Sequence, residues 1–266
     1  MMCGPENKLI NELAKRFYHT FYQNCWPTKQ KPDLRELSID QSYQVQDIVT
    51  NMRIEKGEQV IGFKVGCTSH AIRSQFRLND PICARLFLPH VTSEGIRLNW
   101  KNYLNCAIEP EMVFKIDKDL SGENLSDDQL ISAIKYVSPG LEIHNFKFWA
   151  TPNSLSELIC SGGIHAALII GKQKVSAQRL SFQQENFQVF KDNILITQAT
   201  ADQIMGGPLH ALRWLVRFLS QKGEILKSGS WVIPGSPVEL VPIKMDTLLR
   251  IEIDGVGSCV TQFYSD

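Results

Sequence analysis

The sequence predicts an α+β protein: a large, mostly antiparallel sheet system with a helical segment at its N-terminal end. Three observations lead there. Apolar residues recur at three- and four-residue spacing in residues 1–58 and in only two later segments. From Val60 onward, short runs rich in β-branched and aromatic residues are separated by Gly, Pro, Asn and Asp. Too few helical patterns lie between those runs to act as the crossovers of a parallel sheet.

In chain order, Leu9, Ile10, Leu13, Ala14, Phe17, Tyr18 and Phe21 form one apolar helix face. The prolines and polar residues of "CWPTKQKPD" end it. Ser38 and Gln41 make a capping box for a second helix carrying Tyr43, Val45, Ile48, Val49 and Met52, which stops near Gly57. Each helix offers an apolar stripe that needs a partner, so residues 1–58 are read as an extension packed on a main domain of residues 59–266.

Strands are expected at "VIGFKVG", "AIEPEMVFKI", "GLEIHNF", "GIHAALIIG", "ENFQVFKDNILIT", "SWVIPG" and "TLLRIEIDGVGSCVTQF", the last a hairpin around Asp254 and Gly255. A helix capped by Ser126 and Gln129 covers Leu130 to Val137 and ends before the Pro139-Gly140 turn. Another starts near Pro208, presents Leu212, Leu215, Val216 and Leu219, and stops at Gly223. Its leucine and aromatic face, Trp214 included, reads as core.

The bulk numbers exclude several classes. Twenty-eight basic and twenty-eight acidic residues cancel, so no basic nucleic-acid or membrane footprint is visible. Seven scattered cysteines without a Cys-x-x-Cys pair argue against a disulfide framework or zinc knuckle and for reduced thiols in a cytoplasmic setting. No apolar run is long enough for a signal core or a membrane span. No nucleotide-binding glycine motif occurs.

The chemistry concentrates in "CAIEPEMVFKID". Side chains two apart on a strand share a face, so Glu109 and Glu111 point the same way from an otherwise apolar segment. Pro110 between them cannot donate to a ladder, which predicts an edge or a bulge. At about 5 Å and an effective dielectric near 20, two carboxylates repel by about 3 kcal/mol. Such a pair either stays in water or needs a proton, a base or a cation. Glu142, between Leu141 and Ile143 straight after the expected turn, is a third acid in an apolar strand. Carboxylates without a histidine or cysteine cluster favour a hard ion such as Mg²⁺ or Mn²⁺ over zinc.

"GFKVGCTS", "IEPEMVF", "GLEIHNF", "GGPLHALRWLVRFLSQKGEILKSGSWVIPGS" and "IEIDGVGSCVTQF" follow in the order seen in the fumarylacetoacetate hydrolase superfamily. The chain resembles its 2-oxo-4-pentenoate hydratase and 4-oxalocrotonate decarboxylase branch from about residue 40 to the end. The resemblance implies the sheet roll of that family's C-terminal domain, a homo-oligomer, and one divalent cation held by Glu109, Glu111 and Glu142. It implies a lyase of the kind used in aromatic-compound breakdown, acting on a small 2-oxo or 2-hydroxydienoic acid through a metal-stabilised enolate. Lys64, bracketed by Gly62 and Gly66, is then the catalytic and substrate-binding lysine, and Ser236 lines the substrate pocket. The flanking glycines suit close approach of a ligand.

The match departs where Ile82 follows Pro81 in place of an acid, where Ala84 replaces a glycine, at Ile164 and His165, and at Pro234. An isoleucine can neither shuttle a proton nor bind an attacking water, which weakens the hydratase reading, while a decarboxylase tolerates an apolar wall; both readings stay open. An acylpyruvate-type C–C hydrolase and a non-catalytic ligand-binding member of the fold are the alternatives. His144 is expected to be solvated beside a turn, His165 to be a hydrogen-bonded core residue, and His210 to sit at a helix start.

Overall fold

The computed structural model describes residues 5–23, 25, 34–69, 81–146 and 154–266. Five helices are described: α1 (Pro5–Gln23), α2 (Ile39–Glu55), α3 (Asp127–Ala133), α4 (Leu155–Cys160) and α5 (Pro208–Gln221). The expected break over residues 25–33 lies outside the described residues apart from Cys25.

The strands form two sheets. The larger comprises β1 (Val60–Gly66), β2 (Ile82–Phe87), β3 (Val91–Ser93), β5 (Cys106–Ile116), β6 (Ile134–Asn145), β7 (His165–Ile170), β10 (Trp231–Ile233) and β11 (Val241–Pro242). Its order is β2-β1-β10-β5-β6-β7-β3, with β11 on β5, and it curls into a half-barrel. The smaller runs β4 (Arg97–Asn99), β13 (Gly257–Tyr264), β12 (Thr247–Ile253), β8 (Asn186–Lys191), β9 (Ile194–Thr200). Most pairings are antiparallel; β1–β10, β3–β7 and β4–β13 are parallel. The α+β expectation holds.

Period-two alternation sorts β5 between two environments. Ile108, Met112, Phe114 and Ile116 are buried in the main core with Leu141 and Ile143 of β6, Leu249 and Ile251 of β12, and Leu212, Leu215 and Val216 of α5. Trp214 belongs to that core and stacks on Phe218. The opposite face of β5 carries Glu109, Glu111 and Val113, of which Val113 joins Leu86, Leu168 and Ile233 in a small apolar floor. Both faces of the strand are therefore covered, which the alternation alone does not reveal.

Two local expectations are corrected. The capping box at Ser126 and Gln129 is present, but its helix ends at Ala133 and residues 134–145 are extended. Pro139 and Gly140 lie inside β6, opposite Met112 and Glu111, not in a turn. The proline sits one residue beyond the start of pairing with β7, so its missing N–H costs no ladder bond there, while its carbonyl accepts from Gly171 N–H at 2.8 Å. A side chain at 140 would overlap Val113 Cγ2 at 2.2 Å, which explains the glycine. Pro110 is neither at an edge nor in a bulge. It pairs in register with Leu141, and on the other side of β5 the ladders to β11 and β10 engage residues 107–108 and 114–115, leaving a gap beside it. Helix α4 and strands β2, β3 and β4 were not expected from periodicity; α4 and β2 have six residues each and β3 and β4 three.

The capping box at Ser38 and Gln41 starts α2 as expected. The stripes of α1 and α2 share a second core: Ile10, Leu13, Phe17, Tyr43 and Val45 meet Ile82, Leu158, Ile159 and Ile164. Arg53 of α2 fixes this unit to the sheet. Its guanidinium lies 3.6 Å over the Phe87 ring and 4.4 Å over Phe21 and bonds Glu58 at 2.7 Å. Glu58 also accepts from the Tyr22 hydroxyl. Burial works against the Glu58 charge, but the Tyr22 and Arg53 contacts outweigh it and lower its pKa. A lowered carboxylate contributes stability that is present above the unfolded pKa and disappears as pH falls through the folded one. Glu58→Gln is therefore expected to cost about 2 kcal/mol at pH 7, with the gap to wild type closing in thermal melts taken below about pH 4.

Candidate metal centre

The concave face of the half-barrel collects the ionisable groups because register places them there. Glu109 lies directly opposite Glu142, Ala107 opposite His144, and Glu111 opposite Gly140. Directly paired residues stand with Cβ atoms about 5 Å apart, so Glu109 and Glu142 meet, with Glu111 one pair further along the same face. The ligand atoms that converge within 4.8 Å are those of Glu109, Glu142 and His144. Lys64, in register with Ala84 and Ile233, comes from the next strands round the curl. His165 enters at the start of β7, paired with His144 beside a register shift.

Each buried carboxylate has one oxygen tied and one bare. Glu142 Oε1 accepts from Lys64 Nζ at 2.6 Å and from His165 Nδ1 at 2.7 Å, while its Oε2 makes no hydrogen bond. Glu111 Oε2 accepts from Gly235 N–H at 3.0 Å, and its Oε1 makes none. Glu109 is the exposed member, its side chain 22% accessible, against 1% for Glu142. The His144 Nε2 atom lies 3.0 Å from Glu109 Oε2 and 3.4 Å from Glu142 Oε2, yet neither ring nitrogen forms an aligned hydrogen bond.

Charge divides the pair of buried acids. Burial pushes Glu111 well above the carboxylate range, and the neighbouring Glu142 and Glu109 push it further. Burial also opposes the Glu142 charge, but His144 and Lys64 outweigh it and hold this carboxyl well below that range. Lys64, whose charge burial disfavours, is kept raised by Glu142, Glu109 and Glu111. Burial pushes His165 down to about 4, past the attraction of Glu142, so its ring is neutral and donates from Nδ1. A buried carboxyl pushed upward by two neighbouring carboxylates marks a place where added positive charge is favoured, and a divalent ion would supply it. The bare oxygens, the convergent donors and the hard-ligand set all fit such an ion.

Glycines shape the cradle at two points. Gly163, at φ +66°, offers its carbonyl to Lys64 Nζ at 3.1 Å, and a Cβ there would stand 3.1 Å from Lys64 Cε. Gly235, at φ +112°, would drive a Cβ to 2.3 Å from Thr68 Oγ1. Gly62 has a different role from the one expected: it admits the Trp231 carbonyl, 1.9 Å from its Cβ position, and serves strand packing, not a ligand. Gly66 abuts Ile82.

All five residues singled out from sequence are thus located. Glu109, Glu111, Glu142 and Lys64 share the concave face. Ser236 is buried in the turn behind Glu111, where its hydroxyl accepts from Val238 N–H at 3.3 Å. His144 is 2% exposed, so the solvated reading is corrected: β6 continues through it, with no turn to release it. Its shared parity with Glu142 was the available signal. Nothing local announced the Gly163 carbonyl or the Gly235 N–H as site groups. His210 stays apart, with Nδ1 at 3.0 Å from the Met205 carbonyl.

No family model matches the sequence. Curated relatives do. A TodF product hydratase from Pseudomonas putida is 24% identical over 228 residues, 86% of this chain and 85% of its own length. A 4-oxalocrotonate decarboxylase from a Pseudomonas species is 25% identical over 225 residues, 84% of this chain and 86% of its own. Among solved structures, 4-oxalocrotonate decarboxylase from Pseudomonas putida G7, complexed with magnesium and adipate, superposes with a TM-score of 0.90 at 20% identity, covering 96% of this chain and 97% of that one. These support the resemblance to the hydratase and decarboxylase branch.

Gly235→Ala is expected to shift the N–H that holds Glu111. Calorimetric titration with Mg²⁺ or Mn²⁺ should show affinity reduced by about tenfold or more, alongside a lower melting temperature.

Proposed function

We propose that this relative of the hydratase and decarboxylase branch is a divalent-cation-dependent lyase acting on a small 2-oxo or 2-hydroxydienoic acid. Glu109, Glu111 and Glu142 hold Mg²⁺ or Mn²⁺, and Lys64 and Ser236 meet the substrate. The observation that carries the reading is the pair of bare, buried oxygens, Glu111 Oε1 and Glu142 Oε2, on the face that also holds Glu109 and Lys64. Buried carboxylate oxygens rarely stay without a partner. The magnesium in the structural neighbour adds support.

A cation bound there supplies Lewis-acid stabilisation of enolate charge at the 2-oxo oxygen of the substrate. The chain does the rest. His165 and Lys64 lock Glu142 from behind, and the Gly235 N–H locks Glu111, so both present their other oxygen in a fixed direction. Lys64, buried and still charged, offers an ammonium proton between Glu142 Oε1 and the Gly163 carbonyl. In this reading it attracts the substrate carboxylate and passes a proton to the enolate carbon. Ser236 accepts from Val238 and keeps its own hydroxyl proton for the substrate. Ile82 and Ile164 are both buried in the second core with α1 and α2, so neither offers a polar group to the substrate. Hydratase and decarboxylase remain the two forms of this lyase reading. The free thiols among the described residues fit a cytoplasmic setting, and the resemblance supports a homo-oligomer.

The test follows loss of dienol absorbance and release of CO₂ with 4-oxalocrotonate and 2-hydroxypenta-2,4-dienoate as substrates. Cation-dependent turnover of either is expected, and inertness toward both with the ion present sinks the reading. Lys64→Met should lower kcat by about a hundredfold or more while calorimetry finds the cation still bound.

A further inference from the structure

Of the ionisable side chains on the concave face, His144 has the least conventional surroundings. Its side chain is 2% exposed, and neither ring nitrogen makes a hydrogen bond. Glu109, Glu142 and His144 nevertheless each bring a ligand atom within 4.8 Å of the other two. The short approaches, 3.0 Å to Glu109 Oε2 and 3.4 Å to Glu142 Oε2, lack the alignment of a hydrogen-bonded ion pair. His165 provides the contrast within the same cluster: its Nδ1 bonds Glu142 Oε1 at 2.7 Å with proper geometry. One imidazole is thus used to orient a carboxylate, and the other lies against the Glu109 and Glu142 oxygens at ion-pair distance without an aligned hydrogen bond.

We propose that His144 is a nitrogen ligand of the cation, so that the centre is a mixed nitrogen–oxygen site that discriminates against Mg²⁺ in favour of Mn²⁺, Co²⁺ or Zn²⁺. This rests on the cation-dependent reading above but goes beyond it, since three carboxylates alone describe a hard-ion site. Mg²⁺ takes oxygen ligands and sheds its water reluctantly, whereas imidazole suits the first-row transition ions. Glu109 and Glu142 belong to both donor sets, while Glu111 stands outside the converging group and keeps a buried Oε1 without a hydrogen bond. Affinity rises along the transition series at almost any site. The discriminating quantity is therefore the change caused by removing the imidazole, ion by ion.

Metal-free protein is titrated by calorimetry with Mg²⁺, Mn²⁺, Co²⁺ and Zn²⁺, as wild type and as His144→Gln and His144→Asn. Loss of the ligand is expected to weaken Co²⁺ and Zn²⁺ by at least about tenfold and Mg²⁺ by less than about threefold. Pulsed electron paramagnetic resonance of the Mn²⁺-loaded wild type should show coupling to a bound nitrogen. His165→Gln should keep that coupling, and the His144 variants should lose it. An equal loss for all four ions, or a gain for all four, shows that His144 acts only as a counter-charge and overturns the proposal. So does a wild-type spectrum without nitrogen coupling, which needs no folded variant. Tight Mg²⁺ binding with no nitrogen signal sinks this inference and leaves the lyase reading standing; failure to bind any of the four ions sinks both.

Discussion

The register between Cys106–Ile116 and Ile134–Asn145 is the constraint on which the site depends. Pairing Glu109 with Glu142 places acid against acid on the concave face and sends Ile108, Met112, Leu141 and Ile143 to the core. A one-residue slip would exchange the two sets. The core enforces the register: its apolar side chains would otherwise enter the charged face, while two glutamates would enter a closely packed interior. Burial of the apolar face thus holds together three carboxylates that repel one another.

Such a cluster is stable only because other parts of the fold supply donors from outside the two strands. The lysine arrives from β1, the neutral imidazole from β7 and the amide from the turn at Gly235. The lysine and imidazole share one oxygen of Glu142 and the amide takes one of Glu111, so each carboxylate keeps a second oxygen that is buried and without a hydrogen bond. That division turns an electrostatic liability into a preorganised set of acceptors. Against its burial, His144 and Lys64 hold Glu142 below the carboxylate range, whereas burial and the neighbouring Glu142 and Glu109 push Glu111 above it, past the pull of Lys64 and the Gly235 N–H.

The helical unit serves the same face indirectly. Strand β2 lies at the end of the large sheet, where unpaired backbone groups invite association. Side chains of α2 occupy them: the Tyr43 hydroxyl accepts from Cys83 N–H at 3.1 Å, and Gln46 Nε2 donates to the Cys83 carbonyl at 3.0 Å and to that of Ile159 at 2.7 Å. The edge is capped at Cys83 and the end of α4 is anchored, and the segment that follows carries the Gly163 carbonyl bound to Lys64.

By itself the sequence determined which residues share a face and where elements start. Period-two alternation put Glu109 and Glu111 on one side of β5, capping boxes at Ser38 and Ser126 started two helices, and Asp254-Gly255 marked a hairpin. Quoted motifs also carried the family resemblance. Only the tertiary structure decided what lies opposite. It carried residues 134–145 past Pro139 as a strand, since β5 and β7 offered ladders that outweigh a local turn preference. It buried His144, brought Lys64 across 78 positions to Glu142, and supplied the donors at 163 and 235. The physical reason is that side-chain period is a local property of the backbone, whereas register and burial are settled by partners distant in the chain.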